Sequence, residues 1–279
     1  MNDAQAPSAG MPSVAVLGGG VMGTTIVTAL RTAGWTSSQV AVAEKDGGRA
    51  ANLRESHGVV VTSTLAEAVD GANVVIIAVK PQDVGDALAE IAPVITPAVL
   101  VLTVAAGLPA AFYEERLAPG TRVVRAMPNT PAIVARGATA VAKGALATDE
   151  DLQFVGAMLR GTGLVVIVEE SQIDAVIAVS GSGPAYFYAV VEALTEAGVA
   201  QGLDRVLATQ LAAQTFVGAA HLLEKSSETP RVLRERVSSP GGTTLAALEA
   251  MTDAGLQGVI SAGAAAAARR SKEMAAELS

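Results

Sequence analysis

The sequence of 279 residues contains no cysteine and only two histidines, His57 and His221. Without cysteine the chain can have neither a disulfide framework nor a thiolate metal site. Two histidines alone do not make a metal centre, so we predict no metal ion and assign neither histidine a role. Aromatic residues make up only 3% of the chain, so its core must consist mainly of Ala, Val, Leu and Ile.

Positive charge is also scarce. A net charge of -8 and an isoelectric point near 4.9 argue against a nucleic-acid partner, because phosphate binding requires a basic face. The longest apolar stretches, such as residues 94–106, are interrupted by Pro97 and are too short to cross a bilayer. Residues 1–12 lack the basic and apolar pattern of a signal peptide, and we predict a flexible tail there. We therefore expect a cytoplasmic protein without a membrane partner.

Hydrophobic residues make up 51% of the chain, enough for a large core and two domains. Over residues 13–169 short β-branched runs alternate with helical patterns. The predicted strands are residues 14–17, 40–43, 74–78, 99–102, 123–125, 138–142 and 164–168, and helices are predicted at 24–33, 66–69 and 149–160. This alternation predicts βαβ units and a parallel sheet, so we expect the first domain to be α/β with a Rossmann-like doubly wound sheet.

Residues 170–279 are predicted to form a second, all-α domain. Its helices are predicted at residues 171–179, 184–200, 205–224, 243–251 and 256–277. The last of them contains a run of alanines and one glycine at residues 262–268. Small residues let helices approach closely, which favours packing against a second copy of the chain; the alternative is that alanine is merely a good helix former.

A glycine-rich turn follows the first predicted strand and opens the first predicted helix. Gly18, Gly20 and Gly23 fit the pattern G-x-G-x-x-G. The glycines allow a tight turn, a close approach of the backbone to a pyrophosphate, and close packing of the helix. Val21 and Met22 contribute backbone N–H groups at the helix start. This placement predicts a dinucleotide site rather than a plain turn.

The end of the second predicted strand bears on the choice of cofactor. Glu44 stands where an acidic residue would accept a hydrogen bond from the ribose 2′-hydroxyl, which favours NAD. Lys45 follows it directly and Arg49 lies within reach, and both favour a 2′-phosphate. A third interpretation is that all three are solvated charges at a strand end.

Two further strand ends are expected at the same edge of the sheet, where ligands of open parallel sheets bind. Small residues there would let a nicotinamide lie flat against the backbone. For Lys80 a role in capping the strand end is an equal alternative. The cofactor-binding residues predicted at these two ends are Ala78, Val79, Lys80 and Pro81, followed by Ala105, Ala106 and Gly107.

A loop near the end of the chain concentrates glycines and hydroxyls before an amphipathic helix. Its glycines leave backbone N–H groups uncovered, and the helix start adds partial positive charge. This predicts a small anion site, although an ordinary capped loop is the alternative. The predicted substrate-binding residues are Ser239, Gly241, Gly242, Thr243 and Thr244.

Two other motifs are predicted to be mainly structural. Residues 125–131 contain two prolines with an intervening Asn129, which favours a rigid turn. Residues 178–186 join the two domains, with Gly183 and Pro184 suited to a helix stop and a new first turn. The hydroxyls of Ser180 and Ser182 could instead reach the ligand crevice.

Taken in order, these motifs resemble those of the pyrroline-5-carboxylate reductase family over residues 14–274. The resemblance is carried by residues 18–23, 78–81, 125–131, 179–186 and 239–244. It implies that NAD(P)H reduces the C=N bond of 1-pyrroline-5-carboxylate to give L-proline, the last step of proline biosynthesis. It also implies a homodimer formed by the helical domain, with a decamer built of dimers as a further assembly. Val21 stands where the family often has Asn, and Glu44 leaves the family's usual NADPH preference open.

The resemblance also implies roles for the late loop. The substrate carboxylate is assigned to the backbone N–H groups of Gly242, Thr243 and Thr244 and to the Ser239 hydroxyl. Thr244 is the catalytic candidate, because its hydroxyl resembles the family's donor toward the ring nitrogen. The reaction is expected to take place between the two domains, with helices of a second subunit completing the pocket.

Three other functions stay open at this point. A β-hydroxyacid dehydrogenase would carry a lysine on the first long helix after the domain junction, and residues 186–200 contain none. A reductase of other cyclic imines has no such sequence argument against it. A non-catalytic dinucleotide sensor would have little reason to keep Ser239 and Thr244 beside an intact anion loop.

Overall fold

The computed structural model describes residues 10–278 of the chain. Of the predicted flexible tail, residues 1–12, the first nine residues lie outside the described part of the chain. Beyond that point the backbone carbonyls of Met11 and Pro12 accept hydrogen bonds from the side chains of Gln39 and Trp35, at 2.7 and 3.1 Å.

The chain divides into two compact units. The first extends to Ser182 and also contains the C-terminal residues from Ala267 onward, and the second is Gly183–Ala266. The predicted boundary between residues 169 and 170 stays a prediction about the functional domains. The compact units separate after Ser182, and the last helix crosses from the second unit into the first.

The first unit contains one sheet of eight strands. The strands are β1 (Val14–Leu17), β2 (Val40–Ala43), β3 (Val60–Thr62), β4 (Val74–Ile77), β5 (Leu100–Thr103), β6 (Arg122–Met127), β7 (Gly137–Lys143) and β8 (Gly163–Ile167). Their order across the sheet is β3-β2-β1-β4-β5-β6-β7-β8, which is doubly wound because the chain moves outward in both directions from β1. The predicted Rossmann-like α/β fold is therefore confirmed.

The expectation of a wholly parallel sheet is wrong at one place. Strands β1 to β6 are parallel, but β7 pairs antiparallel with β6, and β8 then runs parallel to β7. The connection of residues 128–136, with a short 3₁₀ helix at Thr130–Val134, follows β6 and returns the chain beside it. Two prolines and a short connection favour this reversal over a helical crossover.

Helices of the first unit lie between these strands. They are α1 (Val21–Thr32), α2 (Gly47–His57), α3 (Leu65–Val69), α4 (Val84–Ile91), α5 (Ala110–Glu114), α6 (Asp149–Leu159) and α7 (Ile173–Val176), followed by a π-helical turn (Ile177–Gly181). The core is aliphatic, as the composition predicts. The strands β1, β4 and β5 are almost completely buried, with residues such as Val16, Ile76 and Leu102 at 0% exposure.

The second unit is helical. Its helices are α8 (Gly183–Ala200), α9 (Arg205–Lys225), α10 (Pro230–Arg236), α11 (Thr243–Asp253) and the first part of α12 (Leu256–Leu278). Helices α8 and α9 pack against each other, and the buried apolar side chains of α9 are Ala208 and Ala212. Many large apolar residues of the unit are exposed, among them Phe187, Leu211, Val217, Val259 and Ile260. By length and composition alone, α9 is apolar enough to cross a membrane.

Candidate functional site

The glycine-rich turn between β1 and α1 is closely packed. Gly18 has a φ of +104°, which favours glycine, and its N–H donates to the Ala43 carbonyl of β2 at 3.0 Å. A Cβ added to Gly23 would lie 1.9 Å from the Gly18 carbonyl oxygen. Helix α1 can therefore approach the turn only because residue 23 has no side chain.

Gly20 leaves room rather than filling it. It is the N-cap of α1, no side chain caps the helix, and its first turn contains no acidic residue. A Cβ at Gly20 would meet nothing within 4 Å. Gly20 and Val21 at the helix start line a cavity of about 630 Å³, and Met22 follows them in the first turn of α1. Uncapped N–H groups, helix polarity and this empty space together fit the phosphates of a dinucleotide.

The lining of this cavity extends beyond the predicted residues. The additional lining residues are Gly19, Thr24, Thr25, Thr28, Gly48, Arg49, Asn52 and Ile133. The pattern G-x-G-x-x-G treats Gly19 as a free position. Here a Cβ at Gly19 would lie 2.6 Å from Leu53 Cδ1 and 3.1 Å from Glu44 Cβ. A side chain at residue 19 would therefore press on Leu53 of α2 and on Glu44 at the end of β2, which favours glycine at this position.

Glu44 does not present its carboxylate to the cavity as predicted. Its side chain is only 5% exposed. One oxygen accepts from the Gly19 N–H at 3.1 Å and from Arg49 Nε at 2.9 Å. The other accepts from the Asp46 N–H at 2.8 Å and from Arg49 Nη2 at 3.0 Å. The carboxylate is thus engaged from four sides within the chain.

The charge of Glu44 is stabilised by these contacts. Burial raises the pKa of the carboxyl, but the hydrogen bonds from Arg49 and from the Asp46 and Gly19 N–H groups, with the charge of Arg49, outweigh burial and hold the pKa below its usual value. The neighbouring Lys45 is exposed. Asp46 caps α2 by accepting from the Arg49 N–H at 2.8 Å.

The strand ends predicted to face the cofactor lie at one edge of the sheet. A Cβ at Gly18 would lie 2.9 Å from the Ala78 carbonyl oxygen and 3.2 Å from Val79 N, so the glycine turn and the end of β4 are in contact. Lys80 is exposed and is the N-cap of a 3₁₀ turn that begins at Pro81. This geometry is compatible with both interpretations of Lys80, as a cofactor contact and as a strand-end cap.

A buried polar network fixes the end of β5, where Ala105, Ala106 and Gly107 follow. The Thr103 hydroxyl donates to Tyr113 Oη at 2.7 Å and accepts from the Ala105 N–H at 3.3 Å. Burial raises the pKa of Tyr113 to about 12, against the opposing effects of this hydrogen bond and of Arg125. Gly107 has a φ of +87° and faces Met274 of α12.

The motif at residues 125–131 contacts Ser180 of the motif at residues 178–186, and both contacting residues lie in the first unit. The Asn129 side chain donates to the Ser180 carbonyl and accepts from the Ala138 N–H, both at 2.9 Å. The Ser180 hydroxyl donates to the Val176 carbonyl at 3.1 Å. The Asn129 side chain thus joins β7 to the π-helical turn, and the Ser180 hydroxyl bonds within its own helical segment, which supports the structural interpretation of these motifs.

The late loop differs from its prediction at one N–H group. Gly241 has a φ of +70°, and Gly242 is the N-cap of α11. The Gly242 N–H donates to the Ser239 carbonyl at 2.9 Å. The turn that builds the loop already uses this N–H, which argues against the predicted role of the Gly242 N–H as a donor to a substrate carboxylate.

The rest of the loop keeps the predicted donors. Thr243 and Thr244 are the first two residues of α11, where N–H groups have no partner within the helix. No side chain caps this helix, and its first turn contains no acidic residue. The exposed Ser239 lies beside it, since a Cβ at Gly242 would be 2.5 Å from the Ser239 hydroxyl oxygen. The Thr244 side chain is half-buried.

No group of three His, Asp or Glu side chains suited to a metal ion occurs in residues 10–278. Comparison with family models gives two matches. The model described as "Pyrroline-5-carboxylate reductase dimerisation" matches residues 170–274. The model described as "NADP oxidoreductase coenzyme F420-dependent" matches residues 13–107.

Individual relatives agree with the first of these matches. A pyrroline-5-carboxylate reductase of Mycobacterium tuberculosis is 43% identical, covering 95% of this chain and 97% of that protein. The structure of a pyrroline-5-carboxylate reductase from Coxiella burnetii is 32% identical with a TM-score of 0.89, covering 95% and 99% of the two chains. That of the Plasmodium falciparum reductase with NADP bound is 26% identical with a TM-score of 0.82, covering 95% and 100%.

Proposed function

This chain belongs to the pyrroline-5-carboxylate reductase family, and from that premise we propose that it reduces the C=N bond of 1-pyrroline-5-carboxylate to give L-proline. When bound, NAD(P)H supplies the hydride for this reaction. A protonated cyclic imine is already electrophilic, so the protein's task is mainly to hold the two molecules and to keep a proton on nitrogen.

The dinucleotide is assigned to the turn between β1 and α1. Gly20 leaves the helix start accessible, and Val21 and Met22 offer the N–H groups that would face the phosphates. Ala78, Val79 and the backbone from Ala105 to Gly107 would line the nicotinamide side, where small residues permit a flat approach. The contact between Gly18 and the end of β4 supports this assignment.

The substrate carboxylate is assigned to the start of α11. The N–H groups of Thr243 and Thr244 and the Ser239 hydroxyl are its donors, while Gly241 and Gly242 shape the turn that exposes them. A negative charge at a helix start is stabilised by about 0.3–1 kcal/mol when exposed and up to ~2 kcal/mol when partly buried. Hydrogen bonds from the loop add to this.

Thr244 is assigned to the ring nitrogen. A threonine hydroxyl is a poor acid, so its role is to hydrogen-bond the nitrogen and to relay a proton from water rather than to ionise. The single observation that carries this assignment is the uncapped start of α11, which places one hydroxyl inside the helix and another beside its N-cap. A loop that served only to begin the helix would require one capping side chain.

A substrate comparison tests the proposed function. Purified protein is assayed for NADPH and NADH oxidation with 1-pyrroline-5-carboxylate, with the corresponding six-membered imine, and for cofactor reduction with a 3-hydroxy acid. We expect the five-membered imine to have the highest kcat/KM and the hydroxy acid to show no turnover. Absence of turnover with the five-membered imine, in protein shown to be folded and to bind cofactor, would contradict the proposal.

The helical unit supports association with a second copy, and we place the dimer interface on α8 and α9. The matching dimerisation model covers both helices. Leu211 of α9 is 51% exposed and Val217 is 56% exposed. A helix with exposed apolar residues on several sides needs a covering surface, since burying each such side chain contributes about 1.5–3 kcal/mol. Assembly of dimers into a decamer is part of the same proposal. So is a cytoplasmic location, since the reaction draws on soluble metabolites.

Replacing Leu211 by aspartate tests this interface. In a two-fold dimer the change places two unpaired carboxylates in the interface, so we expect the dimer to dissociate at micromolar concentration. Light scattering after size exclusion measures the mass. Gln210→Asp is the matched control, because it adds the same charge at the adjacent exposed position.

The same variant tests whether a second subunit completes the pocket. If it does, the dissociated Leu211→Asp protein should lose at least about 90% of its kcat/KM, as expected when positioning of the reactants is lost. A dissociated variant with full activity would contradict the shared pocket. A variant that stays dimeric like the control would contradict the placement of the interface on α9.

A further inference from the structure

We infer that Arg49 is the residue that selects NADPH over NADH in this chain, and that Glu44 acts as a positioning residue that holds the Arg49 guanidinium at the cavity. The inference rests on the proposed cofactor site. It reverses the role that the position of Glu44 at the end of β2 predicts, that of a direct acceptor for a ribose hydroxyl.

The first step of the argument is that Glu44 has no acceptor capacity to spare. An ionised carboxylate offers about four lone-pair positions. Glu44 fills them with two backbone N–H groups and two N–H groups of Arg49, at 2.8 to 3.1 Å. Its side chain is 5% exposed. A ribose hydroxyl would have to displace one of these internal bonds, which would leave a buried donor without a partner.

The second step is that Arg49 keeps donors for a ligand. A guanidinium has five N–H groups in a fixed plane. Glu44 takes one from Nε and one from Nη2, so both N–H groups of Nη1 and one of Nη2 have no protein acceptor within the described residues. The side chain is 54% exposed, and Arg49 lines the same cavity as Gly19 and Gly20. Its free edge is therefore presented to the proposed cofactor site.

The third step is that the bond to Glu44 fixes this edge in space. Two parallel hydrogen bonds between an arginine and a carboxylate define the plane and direction of the guanidinium. The carboxylate is in turn held by the Gly19 and Asp46 N–H groups. The phosphate-binding turn and the arginine are thus joined through one buried side chain, which sets their separation.

The fourth step concerns charge. Glu44 and Asp46 bring two negative charges to this corner, and Lys45 and Arg49 bring two positive charges. Net charge therefore gives a phosphate little preference, and selection has to come from directed hydrogen bonds. A phosphate accepts bidentate hydrogen bonds from a guanidinium, whereas a hydroxyl offers a single oxygen. The free edge of Arg49 thus matches a 2′-phosphate better than a 2′-hydroxyl.

Equilibrium binding tests the inference without turnover. Isothermal titration calorimetry of the full chain gives the Kd of NADPH, NADH and 2′,5′-ADP. We expect Arg49→Met to raise the Kd of NADPH and of 2′,5′-ADP by about 10-fold or more, the scale of lost charge-assisted hydrogen bonds, and that of NADH by less than about 3-fold. Arg54→Met is the matched control, because Arg54 is on the same helix but donates to the Val61 carbonyl.

Glu44→Gln separates the two roles of Glu44. A carboxamide has one oxygen and cannot accept all four bonds, so Arg49 and the glycine turn both lose their support. We expect the Kd of both cofactors to rise and the NADPH preference to shrink. If Glu44 bound the ribose directly, NADH alone would bind more weakly and the NADPH preference would grow, which would overturn the inference.

A double variant covers the case in which Arg49→Met leaves Glu44 as an unpaired buried charge and the protein does not fold. Glu44→Gln with Arg49→Met removes both charges together, and we expect it to bind NADPH and NADH with similar Kd values. An unchanged ratio of the two Kd values in either Arg49 variant would overturn the inference. A wild-type chain that bound neither cofactor would instead contradict the proposed function.

Discussion

Replacing Thr244 by valine is expected to lower kcat/KM for the imine about 100-fold while the protein stays folded. Valine has the shape of threonine without the hydroxyl, and the half-buried position tolerates the change in volume. The loss removes the hydrogen bond to the ring nitrogen, and general acid–base assistance contributes typically ~10²–10⁴-fold. We expect the lower end because a threonine hydroxyl relays a proton rather than ionising. The backbone N–H at residue 244 remains, so KM should change little.

Steady-state kinetics between pH 6 and pH 9 measure this effect, and thermal unfolding verifies the fold. Thr252→Val is the matched control, since Thr252 lies at the other end of α11 and its hydroxyl donates to the Leu248 carbonyl. The control should keep kcat/KM within about 2-fold, as for a surface substitution distant from the site. A Thr244→Val enzyme as fast as the wild type would remove the hydroxyl from the mechanism.

Replacing Gly23 by alanine is expected to abolish cofactor binding and to destabilise the first unit. The added Cβ would lie 1.9 Å from the Gly18 carbonyl oxygen, so either α1 or the turn must move. The Gly18 carbonyl oxygen and carbon that the new Cβ would meet are backbone atoms, which cannot rotate away as a side chain could. We expect the free energy of unfolding to fall by about 3 kcal/mol or more, since overpacking against rigid atoms is costly. The displaced turn should raise the Kd of NADPH and NADH at least about 100-fold.

Calorimetric titration and denaturant unfolding measure the two effects separately. Gly85→Ala is the matched control, because a Cβ at this position of α4 meets nothing within 4 Å. Alanine is the better helix former, so the control should gain about 0.5–1 kcal/mol and bind cofactor normally. Wild-type affinity in Gly23→Ala would show that the turn does not hold the dinucleotide.

Prediction of the fold from the sequence succeeded where strands are buried on both faces. The runs at β1, β2 and β4 consist of Val, Ile, Leu and Ala, and their bounds were predicted to within one residue. The edge strand β3 was missed, since it has three residues and an exposed Val60. Helix α2 was missed because its sequence is largely polar and shows little periodicity. The direction of β7 depends on pairing across the sheet, which a local pattern does not encode.

Around the candidate site the sequence predicted the course of the backbone better than the contacts of the side chains. Glycine patterns identified both helix starts because the requirement for a missing Cβ is local. The bonding of Glu44 was not predictable, since its partners come from the turn before α1 and from the helix that follows it. The same limit applies to the Gly242 N–H, which is taken up by a turn inside the loop. The sequence shows which groups are available, and only the fold shows which are already bonded.

The small number of buried side chains in the helical unit has a consequence for the genetics of the protein. In residues 183–266 the buried positions are Gly183, Thr195, Ala208 and Ala212. A chain whose helices are completed by a second chain shares its folding defects with that partner. In a cell that carries two alleles, a damaging substitution in the sheet that leaves the proposed interface on α8 and α9 intact would enter mixed dimers and reduce the output of the intact allele. Substitutions on α8 or α9 that prevent association would behave as recessive alleles.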